Sequence, residues 1–91
     1  MKKIWLVKQE SNIDGEIYFN VVPCKDLKTA KQVFKDEIDT ILNESHHFGG
    51  YTEEERKEAF EIENDGDTHF LINDPCDDYY EDIHIVQKEI I

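Results

Sequence analysis

Positive charge is scarce in the second half of this chain, and long apolar runs are scarce throughout. Only Arg56, Lys57 and Lys88 offset fourteen carboxylates in residues 46–91, a net of −11, whereas residues 1–45 set seven lysines against eight carboxylates. A net charge of −12 over 91 residues repels nucleic acid, so direct nucleic-acid binding is not expected. The longest apolar run near the start, Ile4-Trp5-Leu6-Val7, makes neither a secretory signal nor a membrane span. Two cysteines, Cys24 and Cys76, are too few for a disulfide framework; reduced thiols in a cytoplasm are the simplest expectation. Gly49-Gly50 has no following lysine, so no phosphate-cradling loop is present.

What is there suffices for one small domain spanning residues 1–91. The chain is 38% hydrophobic and 11% aromatic, too much for a disordered tail, and a domain of this size buries roughly 60–65% of its unfolded surface. Residues 3–9 and 16–22 read as strands; Ile17, Phe19 and Val21 alternate with Tyr18, Asn20 and Val22, and Ser11 to Gly15 supply the turn. Pro23 ends the second strand and Asp26 caps a helix over 26–43. On that helix Leu27, Ala30, Phe34, Ile38, Ile41 and Leu42 fall on one arc, flanked by Lys28, Lys31 and Lys35.

Thr52 and Glu55 form a capping box for a short helix over about 53–59. The stretch Ala59 to Glu63 reads either as its continuation or as a strand. The segment from Asn64 to Asp67 then turns the chain, Thr68 to Ile72 return it, and Ile83 to Lys88 alternate as a last strand. Residues 76–82 read as an acidic loop or a helical turn. The expected fold is therefore α+β: a mostly antiparallel sheet of four or five strands with one main amphipathic helix on one face, in the order ββα, a short α, then βββ.

That fold leaves a question about coverage. One amphipathic helix covers one face, while Ile4 to Val7, Ile17 to Val22 and Phe70 to Ile72 place apolar groups on both. The second face needs the 45–60 segment, a partner or a second copy of the chain; a homodimer through the sheet would bury Trp5 with its neighbours on the first two strands.

No constellation of catalytic or cofactor-binding residues stands out, so no enzyme, cofactor or metal is expected. The histidines His46, His47, His69 and His84 lack zinc spacing, and the acidic turns do not follow a calcium-binding EF-hand loop. Asp77 and Asp78 beside Cys76 suppress the thiolate that a nucleophile needs. Acidic residues are the remaining signal. Beyond Glu61 and Glu63, the residues expected to contact a partner are Asp65, Asp67, Asp74, Asp77, Asp78, Tyr79, Tyr80, Glu81 and Asp82, with the two tyrosines as anchors. Their crowding should also raise several carboxyl pKa values by mutual repulsion.

In its short, acidic, ββα-led layout the chain is similar to small proteins of bacterial mobile elements and phages, a likeness of composition rather than of motif. The expected function is that of a small non-enzymatic binding or regulatory protein whose acidic half meets a basic protein surface, with nucleic-acid mimicry as its sharpest form. The alternative from another class is a small metal-dependent hydrolase using the Asp74–Asp82 loop.

Overall fold

The computed structural model describes residues 2–66 and 68–90. Five strands and two helices follow one another as β1 (Lys2–Ile13), β2 (Glu16–Cys24), α1 (Leu27–Glu44), α2 (Glu53–Ala59), β3 (Glu61–Asp65), β4 (His69–Asp74) and β5 (Tyr79–Ile90). The sheet order is β2-β1-β5-β4-β3 and each neighbouring pair is antiparallel. This is the expected α+β order, with five strands.

The first hairpin closes more tightly than the turn residues suggest. Ile13 pairs with Glu16, leaving a two-residue loop of Asp14 and Gly15, both at positive φ (53° and 88°), the condition for a type I′ turn. Asn12 fixes that turn. Its side-chain oxygen accepts from the Gly15 amide at 2.9 Å, and its side-chain nitrogen donates to Asp78 Oδ1 at 3.2 Å. The Gly15 amide also reaches the Asp78 carbonyl at 3.3 Å, so the β1–β2 and β4–β5 turns are tied together.

The helices follow their local signals closely. Asp26 caps α1 by accepting from the Thr29 amide at 2.7 Å, and Ala30, Phe34 and Ile41 are buried on its inner stripe. Thr52 and Glu55 form both halves of the capping box on α2. Residues 61–63 are strand, so the helix stops at Ala59.

Register decides what lies beneath the helices. Val7 sits between Val22 and Ile85, Trp5 beside Cys24, and Ile83 between Gln9 and Phe70, so one face of the sheet presents these side chains to α1. Phe48 and Phe60, with ring centroids 5.0 Å apart, join the same core. The 45–60 segment therefore covers the β4–β3 end of the face that α1 already covers, because its aromatic side chains are drawn to Tyr79 and to the end of α1. Trp5 packs on this inner side rather than on an open one, which removes it from any interface through the opposite face.

That opposite face has no helix over it among the described residues. It divides by strand: Ile17, Phe19, Val21, Ile4 and Leu6 give an apolar region on β2 and β1, and carboxylates occupy the β3 side. A second departure from expectation is the length of β5. Residues 79–82 belong to this strand rather than to an acidic loop, because they pair along their whole length with Glu10 to Ile13 of β1.

Ile83 has no exposed surface. Ile83→Ala should cost about 2–5 kcal/mol through lost burial and the cavity it leaves, whereas Thr52→Ala should cost about 1 kcal/mol through the lost cap. Urea unfolding of the two variants checks the order.

Candidate functional site

The acidic residues separate onto two sides of the molecule. On the open face, β3 contributes Glu61, Glu63 and Asp65, whose alternate positions lie about 6.8 Å apart along a strand. Across the sheet, Glu63, Leu71, Asp82 and Glu10 stand in one row, with Glu61, Asn73, Tyr80 and Asn12 on one side of it and Asp65, His69, His84 and Lys8 on the other. A shallow groove runs between Glu10, Glu61, Glu63, Tyr80 and Asp82.

Asp82 and Glu10 are direct cross-strand partners, an arrangement that like charges disfavour. Each has its own relief. His69 Nε2 lies 2.9 Å from Asp82 Oδ1, and the Tyr80 hydroxyl donates to Glu10 Oε2. That hydrogen bond to Glu10, assisted by partial burial, pushes the Tyr80 pKa up to about 12, so the phenol stays a donor throughout the physiological range.

On the helix side, His47 lies flat on Tyr79, with ring centroids 3.8 Å apart and planes 4° from parallel. Its Nε2 is 2.7 Å from Asp74 Oδ2, while Asp74 Oδ1 accepts from the Cys76 amide at 2.9 Å. That amide, with His47 as a lesser contributor, holds the Asp74 carboxyl below its ordinary range. Asp77 completes a group in which His47, Asp74 and Asp77 bring one ligand atom each within 4.8 Å of one another, a nitrogen–oxygen set that suits a divalent cation.

Glu81 also faces this side, in a small cavity with Asn12, Ser45, His46, Phe48 and Tyr79. Burial is the main cause that pushes its pKa up, opposed by hydrogen bonds from Ser11 and Gln9. Mutual repulsion is not the leading cause of any clearly shifted carboxyl among the described residues. Burial raises Glu81, and hydrogen bonding lowers Asp26, Glu55 and Asp74.

Of the residues singled out from sequence, Asp65, Tyr80 and Asp82 share the open face, Asp74, Tyr79 and Glu81 share the helix side, and Asp77 and Asp78 lie in the turn between β4 and β5. Asp67 lies outside the described residues. Glu10 is the open-face carboxylate that sequence reasoning passed over. It is the one carboxylate of β1, and only its pairing with Asp82 places it in the array. His47 and His69 drew no weight from spacing because their carboxylate partners, Asp74 on β4 and Asp82 on β5, are remote from them in the chain.

Compared with known proteins, the chain matches no family model, no curated protein and no solved structure. No helix among the described residues is long and apolar enough to cross a membrane.

Glu81 and Asp74, shifted in opposite directions, make opposite predictions. Glu81 has a folded-state pKa above its ordinary value, so stability is fullest below that ordinary value and declines as pH rises through the raised one. Glu81→Gln should raise the melting temperature near neutral pH, with the gain fading toward about pH 4. Asp74 is shifted down, so it stabilises the fold above the ordinary carboxylate range and ceases to as pH falls through its lowered value. Asp74→Asn should lower the melting temperature near neutrality, with the loss shrinking in acid.

Proposed function

We propose that this protein is a small non-enzymatic binding or regulatory protein that docks its open, acidic sheet face on a basic protein surface. The observation that carries this reading is the array of Glu61, Glu63, Asp65, Asp82 and Glu10, gathered from three strands onto one side of the sheet. Oriented carboxylates of this kind steer a positively charged partner and fix its register. Tyr80 and Leu71 lie within the array and supply contact area where charge alone would leave a wet interface.

Regular spacing along β3 is also what a groove built for phosphates would accept, so a basic nucleic-acid-binding protein is the sharpest form of the partner. The chain's own charge of −12 argues against nucleic acid as its direct ligand. Cys24 is buried and Cys76 exposed, both as free thiols, in keeping with a cytoplasmic setting.

A metal-dependent hydrolase is the second reading, and His47, Asp74 and Asp77 favour it. Both oxygens of Asp74 already accept hydrogen bonds there, one from an amide and one in contact with His47, which accounts for the cluster without a cation. Calorimetric titration with Zn²⁺ or Mn²⁺ separates the two readings. The binding-protein reading expects the same weak heats for wild type and His47→Ala; a tight site lost in the variant would shift the balance to the hydrolase.

Affinity capture tests the main reading directly. A partner held at about 0.1 M salt should be released near 1 M, where the screening length falls from about 10 Å to about 3 Å. The doubly substituted Glu61→Lys/Glu63→Lys protein, altered only at exposed positions, should fail to hold it at either concentration. Equal retention by both proteins at both salts would remove charge on this face as the driver.

A further inference from the structure

We propose that β2 pairs across its open edge with β2 of a second copy of the chain, joining two sheets into one of ten antiparallel strands about a two-fold axis through Phe19. This does not rest on the acidic face or on what that face binds.

The first ground is the contrast between the two edges of the sheet. β3, at one end, is only five residues long, each of them exposed, with Glu61, Glu63 and Asp65 guarding it. Short, charged edges resist pairing. β2, at the other end, is nine residues long, and Ile17 to Cys24 contain no charged residue in a chain that is 35% charged. Its apolar side chains on the open face are bare: Phe19 is 74% exposed, Val21 49% and Ile17 45%.

Backbone geometry then fixes the register. A two-residue hairpin loop closes on a hydrogen-bonded pair, here Ile13 and Glu16, and such pairs alternate along antiparallel strands. Even-numbered residues of β2 therefore bond to β1, and Ile17, Phe19 and Val21 turn their N–H and C=O groups to the open edge. Pro23, next in that series, has no N–H to give. Centring the pair on Phe19 uses all three donors and stops short of Pro23. It sets Phe19 against Phe19 of the second copy and Ile17 against Val21. Centring one residue further on would not do, because it would oppose Ile17 to Pro23 and lose a bond at each end. Both registers keep like faces together, as a two-fold axis normal to the sheet requires.

Charge chooses a second copy over a basic partner at this edge. From Lys2 to Cys24 the chain has three lysines (Lys2, Lys3, Lys8) and three carboxylates (Glu10, Asp14, Glu16), a net of zero, so the whole −12 resides beyond the first hairpin. A basic partner finds no excess of opposite charge here. A second copy meets its least repulsive surface, and the two acidic β3 edges end up at opposite ends of the joined sheet.

Sedimentation equilibrium from about 1 to 100 µM tests the proposal, together with residue-resolved hydrogen exchange. The expected mass for the wild type is twice the 10.8 kDa of one chain at the upper end of that range. The amides of Ile17, Phe19 and Val21 should slow as concentration rises, while those of Tyr18 and Asn20, already bonded to β1, should not change. Phe19→Lys, at an exposed site, should remain at monomer mass with an unchanged circular dichroism spectrum, and Glu63→Lys on the other edge should still dimerise. Wild type at monomer mass throughout overturns the proposal and leaves β2 to a foreign strand. A dimer that survives Phe19→Lys, or that forms with no added protection at Ile17, Phe19 and Val21, overturns it by placing the contact elsewhere.

Discussion

The ladder between β1 and β5 runs from Lys2–Ile90 to Ile13–Tyr79 and forms the centre of the sheet, so its register helps assign a face to the side chains of every strand. A slip of one residue would exchange the two faces. β1 by itself does not choose between them, because Ile4 and Leu6 are as apolar as Trp5 and Val7. The choice comes from its neighbours. β5 sets Ile83 and Ile85 against Asp82 and His84, so only one side of that strand can be buried. At the far end the Asp14-Gly15 turn and the hydrogen bonds of Asn12, to Asp78 and from the Gly15 amide, lock the pairing in place. The core, the acidic face and the apolar edge all follow from this one alignment.

A consequence is that the open face collects groups that would not choose to be adjacent. Asp82 and Glu10 are paired across the central ladder, and the fold offsets their repulsion with His69 and Tyr80 rather than by moving them apart. These contacts lie between different strands, so the arrangement forms only when the sheet does. This is why the acids of the open face are held at defined positions, although each is partly or fully in contact with solvent. The clear carboxyl shifts arise elsewhere, where an amide, a hydroxyl or burial acts on a single group.

Local signals were legible in the sequence and long-range ones were not. The stripe Ala30, Phe34, Ile41 and the capping box of Thr52 and Glu55 depend on residues within a few positions of one another, and both helices lie within a residue of where those signals place them. Tyr79 to Asp82 look like a loop because their composition is polar and acidic. Pairing with Glu10 to Ile13, nearly seventy residues earlier, extends the strand through them. The same distance hides Glu10 from any local reading. Division of the acids between two faces was likewise beyond reach, since it needs the strand that carries each one and the parity of its register.

The two edges of the sheet complete the logic of the charge distribution. Strand order places the neutral first hairpin at one end and the strand bearing Glu61, Glu63 and Asp65 at the other, so the molecule has a gradient of charge across its width. α1 and the 45–60 segment both lie on one side, so this gradient is fully displayed on the other. An apolar edge without charge is a liability for a solitary chain. It is an asset for one that joins to a copy of itself, because the junction brings together the halves that do not repel. Such a junction would merge the two open faces into one surface, apolar at its centre and acidic toward both ends. A partner engaging it would then meet two like sites related by symmetry, and would gain from holding both at once.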